Sequence, residues 1–321
     1  MEIGTLITRQ LENIKVHTTL PIIDINALIA KTVGQASVAA QIHAACVEHG
    51  FFYIKGHGIS ENLQHQLDQM SHAFFDLDAE TKLNMSMESG GRAWRGFFSV
   101  GDELTSGKPD LKEGVYFGAE LPETDPRVQA GLPLHGANLF PEELPGFRQI
   151  VLDYIAALTE LGHHLMRGIS LSLGLPESYF HEHFTADPLV LFRIFHYPAQ
   201  EHTDDGQWGV GEHTDYGVLT ILKQDSVGGL QVKSKSGWIE APYVPGTFVC
   251  NIGDMLDRLT RGYYRSNPHR VLNSSGVGRL SFPFFFDPDF NAKLEPIDLG
   301  SATTQEDDKD QRWDKSSVHA F

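Results

Sequence analysis

Apolar residues recur at helical spacing across residues 36–49, where Val38, Ile42, Ala45 and Cys46 share a face and Gly50 stands where a helix C-terminus favours glycine. Residues 51–54, Phe-Phe-Tyr-Ile, then predict a short strand. Gly56 and Gly58 turn the chain into Ser60, an N-cap for a second helix carrying Leu63, Leu67, Met70 and Phe74. The longest periodic stretch, 147–173, sets Ile150, Tyr154, Leu158, Leu161, Leu165 and Ile169 on one stripe before Gly174 and Pro176, and predicts one long helix. Residues 90–109, rich in Gly and polar groups, read as loop broken by short extended pieces such as Phe97-Phe98. Beyond Leu189 the texture changes to short runs of Val, Ile, Phe and Tyr between Gly, Pro, Asn and Asp. These predict strands at 190–197, 218–223, 230–233, 248–252 and 279–286, in an antiparallel sandwich or barrel.

Composition narrows the class. At 321 residues, 41% hydrophobic and 21% charged, the chain can bury a sizeable core, as about two domains or one large β unit with additions. A formal charge of −17 disfavours nucleic acid and anionic membrane surfaces as partners. Cys46 and Cys250 are too few for a disulfide framework, and no window approaches the ~18 apolar residues of a membrane span. The expectation is a soluble cytoplasmic protein.

Chemistry concentrates in the segment from Gly211 to Gly217, where His213 and Asp215 stand two apart beside a predicted strand. Two apart on a strand means one face. An imidazole and a carboxylate that converge suit a divalent metal, which needs at least one more ligand. The chain has 16 His, but His269 lies in β-rich surroundings with turn residues before it, and 53 residues separate it from Asp215. That interval lets several strands return the chain to the first pair. Two His and one carboxylate on one face of an octahedron is the arrangement of non-haem Fe(II) oxygenases. Ten residues on, Arg279 and Ser281 share a strand face, a guanidinium fork and a hydroxyl able to grip an anionic co-substrate. The adjacent His163 and His164 diverge by ~100° on a helix and read as structural.

Ordered segments along most of the chain carry a family resemblance: Pro21-Ile22-Ile23-Asp24-Ile25, Glu48-His49-Gly50-Phe51-Phe52-Tyr53, residues 108–113, His213-Thr214-Asp215, Asn251-Ile252-Gly253-Asp254, Pro268-His269-Arg270-Val271 and Arg279-Leu280-Ser281. The chain resembles the isopenicillin N synthase-like branch of the Fe(II)/2-oxoglutarate-dependent dioxygenases. That resemblance implies a mainly β fold with flanking α, a double-stranded β-helix (jelly-roll) core at 185–300, an N-terminal region 1–184 packing on it and a polar tail 301–321, all one structural unit. It implies iron on His213, Asp215 and His269, and 2-oxoglutarate held by Arg279 and Ser281 with Tyr197 beside them, although Phe195 and His196 replace the Asn-Tyr common in plant members. O2 is the oxidant, ascorbate a further reductant, and succinate and CO2 are released. Substrate contacts are expected from Arg92, Arg95, Phe97 and Phe285, with a small-molecule substrate, no nucleic acid or membrane partner, and a monomer compatible with the sequence. The alternatives are a 2-oxoglutarate-independent iron oxidase of the same family and, from another class, a non-catalytic β-sandwich that binds metal and carboxylates.

Overall fold

Strand parity organises the chain. The computed structural model describes residues 19–199, 208–234, 237–273 and 275–300. In order, its strands are β1 (Ile22–Asp24), β2 (Phe51–Lys55), β3 (Gly96–Phe98), β4 (Leu104–Thr105), β5 (Lys108–Pro109), β6 (Glu113–Gly118), β7 (Leu189–Tyr197), β8 (Val210–His213), β9 (Leu219–Gln224), β10 (Leu230–Ser234), β11 (Gly237–Glu240), β12 (Phe248–Ile252), β13 (His269–Val271) and β14 (Arg279–Asp287). A major sheet runs β1-β2-β12-β9-β14-β7-β6-β3, a minor one β11-β10-β13-β8, and β4 pairs with β5. The two larger sheets face each other as a jelly roll.

Alternation along β14 sends Leu280, Phe282, Phe284 and Phe286 outward and Arg279, Ser281 and Phe285 inward. The outward set joins Val190, Phe192 and Ile194 of β7 in a core beneath the helix Phe147–Ser172, where Tyr154, Leu158, Leu161 and Leu165 are buried. The helices Gln35–Glu48 and Glu61–Phe75 pack against that long helix. A second, smaller core fills the space between the sheets, with Phe51, Tyr53, Phe98, Tyr116, Phe195, Tyr197, Val232, Val249 and Val271. Functional side chains that point inward therefore meet in a largely apolar chamber.

The helix ends follow the sequence closely. Ser60 Oγ accepts from the Leu63 amide at 3.4 Å. Gly50 has φ of +65°, and a Cβ there would sit 2.3 Å from the Arg265 carbonyl oxygen, so glycine is required twice over. No helix among the described residues is long and apolar enough to cross a membrane.

The expected partition at residue 184 does not match the sheet. β1, β2, β3 and β6, all before that point, are strands of the major sheet, so the N-terminal region completes the core as well as packing on it. Strand β6 is absent from the sequence-based reading because Gly114 and Gly118 at either end of its inner face resemble turn residues. In place, a Cβ at 114 would lie 2.7 Å from the Phe98 and Phe195 rings, and one at 118 would meet the Arg95 guanidinium. The glycines mark close approach instead. The tail expected at 301–321 lies outside the described residues.

Candidate active site

β8 ends on His213 and β13 begins on His269, and the two are antiparallel register partners. Pairing sets their rings side by side, with centroids 4.1 Å apart. Asp215 lies past the end of β8, in the turn before β9, so the same-face argument for a His-x-Asp strand does not apply; the turn brings the carboxylate round. Asp215 Oδ1 is 3.9 Å from His213 Nε2 and 3.7 Å from His269 Nε2. One ligand atom from each residue falls within 4.8 Å of the others, and no other such trio converges among the described residues.

That turn is pinned by the segment after β12. The Asp254 amide donates to the Asp215 carbonyl at 2.7 Å, the Met255 amide to the Tyr216 carbonyl at 3.0 Å, and Thr214 Oγ1 to Asp254 Oδ2 at 3.1 Å. Gly253 permits this approach, since a Cβ would stand 2.3 Å from the Gly217 carbonyl oxygen. Asp215 Oδ2 accepts from Thr220 Oγ1 at 2.6 Å and Asn251 Nδ2 at 2.7 Å, which leaves Oδ1 toward the imidazoles. His213 Nδ1 lies 2.8 Å from the Gly211 carbonyl, an acceptor that requires the proton on Nδ1 and turns the Nε2 lone pair to the same point.

Electrostatics match this geometry. Burial alone raises the Asp215 carboxyl, but the rings of His269 and His213 and the Asn251 and Thr220 donors outweigh it and hold the group below its ordinary value. Burial, aided by the neighbouring His213, lowers His269, so a neutral imidazole faces an anionic carboxylate.

Deeper between the sheets, Arg279 is 1% exposed, and its Nε, Nη1 and Nη2 find no hydrogen-bond acceptor among the described residues. The guanidinium lies 4.6 Å from the centroid of Tyr197, its partner across the β14–β7 ladder. Ser281 is buried on the same face, and burial raises the Tyr197 phenol against the opposing charges of Arg279 and Lys112. His196, next in sequence, points the other way, its Nδ1 2.8 Å from Glu113 Oε1. An uncompensated buried cation is costly, so this pocket calls for an anion.

Sequence comparison agrees with that chemistry. The 2OG-Fe(II) oxygenase superfamily profile matches residues 188–288, and the profile of the N-terminal region of the non-haem dioxygenase in morphine synthesis matches residues 20–143. A probable iron/ascorbate oxidoreductase of Dictyostelium discoideum is 50% identical, over 98% of this chain and 93% of its own length. The chain belongs to the 2OG-Fe(II) oxygenase superfamily. A 1-aminocyclopropane-1-carboxylate oxidase of the same organism is 41% identical over 94% of this oxygenase and 90% of its own chain. The crystal structure of a full-length Neurospora crassa protein in complex with alpha-KG is similar at a TM-score of 0.77 and 29% identity, covering 87% of this chain and 88% of that one.

Of the expected substrate contacts in the oxygenase, only Phe285 faces the chamber. Arg95 is fully buried and donates to the Ala93 carbonyl at 2.7 Å and the Leu134 carbonyl at 3.0 Å; burial lowers it to about 10. It is a backbone clamp. Arg92 is exposed, with its guanidinium against the turn at Gly131. Phe97 belongs to the core under the helices, beside Phe74 and Lys82, while its neighbour Phe98 points between the sheets. One residue of parity separates the two faces. His163, as expected, packs on Phe286.

Asn251 and Thr220 carry no role in the sequence-based reading; the signal for them is a polar residue at the inward position of an apolar strand. Asn251→Ala removes one of the two donors that orient Asp215. It is expected to weaken iron retention by about 10- to 100-fold with little change in melting temperature, measured by anaerobic equilibrium dialysis against Fe(II).

Proposed function

We propose that this oxygenase uses His213, Asp215 and His269 to hold Fe(II), and Arg279 with Ser281 and Tyr197 to hold the far carboxylate of 2-oxoglutarate, in order to oxidise a small organic molecule. The observation that carries this reading is the pairing of a converged His-Asp-His set with a buried, acceptor-less guanidinium in one chamber. Both halves fit their groups: two imidazoles and one carboxylate suit Fe(II) and leave positions open, and the fork matches a planar carboxylate. When bound, iron and 2-oxoglutarate supply O2 activation and oxidative decarboxylation to succinate and CO2.

The side chains do the rest. Thr220 and Asn251 keep one carboxylate oxygen of Asp215 occupied, so the other presents a fixed anionic ligand. Tyr197 stacks against Arg279 and limits its rotamers, while Phe195, Phe98 and Phe285 wall the chamber against water. By the family resemblance, a carboxylate at Asp215 favours oxygenation over halogenation; hydroxylation is the first outcome, with desaturation or ring closure as the alternatives set by how the substrate is held.

Likeness to a 1-aminocyclopropane-1-carboxylate oxidase favours a second reading, in which Arg279 binds the substrate's own carboxylate and a different reductant is used. Anaerobic addition of 2-oxoglutarate to the Fe(II) enzyme, followed by O2, separates them. Succinate formed in step with O2 consumed supports the first reading; O2 uptake with ascorbate and without succinate supports the second. Two buried, unbridged cysteines support a reducing, cytoplasmic setting.

A further inference from the structure

Strand β7 is apolar for most of its length, yet position 193 is an arginine. Val190, Phe192 and Ile194 enter the core beneath the helices, whereas Phe195 and Tyr197 point between the sheets, so Arg193 points between the sheets as well. Its guanidinium lies 4.1 Å from the centroid of Tyr116 and 4.8 Å from that of Phe285. Nε is buried without an acceptor, and the side chain makes no hydrogen bond or ion pair with any described residue.

Of the two acids whose fields reach it, Glu103 is committed elsewhere and Asp287 forms no ion pair with it. Glu103 accepts from Lys112 Nζ at 2.8 Å and from the Tyr116 hydroxyl. Asp287 lies against Gly217 at the far end of β14, its Oδ1 buried without a partner among the described residues and its carboxyl raised by burial to about 7. Two aromatic faces thus hold a cation whose donor edge has no partner among the described residues.

Its position is specific. Thr220, which donates to Asp215, is the register partner of Phe285 on β14, and β7 is the next strand across. Phe285 pairs with Leu191, so Arg193 stands two strand spacings across and two residues along from Thr220, about 12 Å away on the sheet. Along β7 it stands four residues from Tyr197, about 13 Å from the Arg279 pocket.

We infer that Arg193 anchors a carboxylate of the primary substrate, so that this oxygenase takes small monoanionic organic acids and lays their carbon skeleton along Phe285 toward the metal ligands. The inference rests on the iron and 2-oxoglutarate reading above. A planar carboxylate matches the free edge of the fork through two parallel hydrogen bonds. A phosphate dianion would meet Glu103 and Asp287 as well, and a cationic substrate would meet the unpaired guanidinium.

The test is anaerobic calorimetric titration of the full chain loaded with Fe(II) and saturating 2-oxoglutarate. Hexanoate and benzoate are compared with hexanamide and benzamide, respectively. At least one acid is expected to bind about tenfold or more tightly than its amide. Arg193→Gln should erase that preference without altering 2-oxoglutarate affinity, and Arg193→Lys should retain part of it. No acid binding better than its amide, or a preference that survives Arg193→Gln, overturns the inference. If wild-type protein fails to bind 2-oxoglutarate in the loading step, the underlying reading has failed instead.

Discussion

Asp215→Ala is expected to abolish iron retention and succinate formation together, in a protein that still folds. The reason lies in charge as much as in ligand count. Among the three converging groups only Asp215 is anionic, and its two partners are imidazoles, one of them held neutral by burial. Removing it leaves two neutral donors, and leaves Thr220 Oγ1 and Asn251 Nδ2 without the oxygen they now serve. Loss of an outer hydrogen-bond partner costs about 10- to 100-fold in metal affinity, so loss of the charged ligand itself must cost more. The check is iron stoichiometry by elemental analysis alongside succinate assay, with a melting curve to establish folding. A folded variant that keeps one iron per chain and forms succinate would remove Asp215 from the metal set.

Much of this site was legible because motif chemistry survives without knowledge of backbone detail. His213, Asp215, His269, Arg279 and Ser281 stand out by residue type and spacing; four lie on strands and Asp215 on the turn after β8, and the fold brings all five to one chamber. The reason given by strand parity for His213 and Asp215 was nonetheless the wrong one. A turn buttressed by Gly253 and Asp254 joins them, and nothing in a His-x-Asp spacing reports that buttress.

Substrate contacts were less legible because they depend on parity in short strands. Phe97 and Phe98 are equivalent by composition, and only the register of β3 against β6 decides which one enters the chamber. Arg95 and Arg193 are likewise both arginines amid apolar residues. Arg95 is bonded to the Ala93 and Leu134 carbonyls, while Arg193 finds no such acceptor among the described residues. The available signal was an arginine inside a nine-residue apolar strand, which burial alone disfavours.

Arg279→Met is expected to have two opposed effects, and their combination is more telling than either. In the wild-type protein without co-substrate, a guanidinium that is 1% exposed has no acceptor among the described residues for any of its three nitrogens. Replacing an unsatisfied buried charge by an apolar side chain of similar length removes a desolvation cost, and even buried ion pairs, whose charges are mutually compensated, gain up to about 1–4 kcal/mol when replaced by apolar residues in other folds. The variant should therefore melt above wild type when neither contains 2-oxoglutarate. Added 2-oxoglutarate reverses the order. At about 100 times its dissociation constant a ligand specific for the folded state contributes about 2.7 kcal/mol, and only wild type gains it. Arg279→Lys keeps the charge but loses the planar fork, so it should show a small ligand-dependent rise and 2-oxoglutarate affinity lower by about tenfold or more. Thermal denaturation of the three proteins with and without 2-oxoglutarate, paired with calorimetric affinities, reads both effects. A variant that melts below wild type in the absence of ligand would mean that the guanidinium is already satisfied by the protein. Unchanged 2-oxoglutarate affinity would move the anion pocket away from Arg279. Because the same uncompensated cation that weakens the empty fold is the group that binds the co-substrate, the stability cost and the binding site are one physical feature of strand β14.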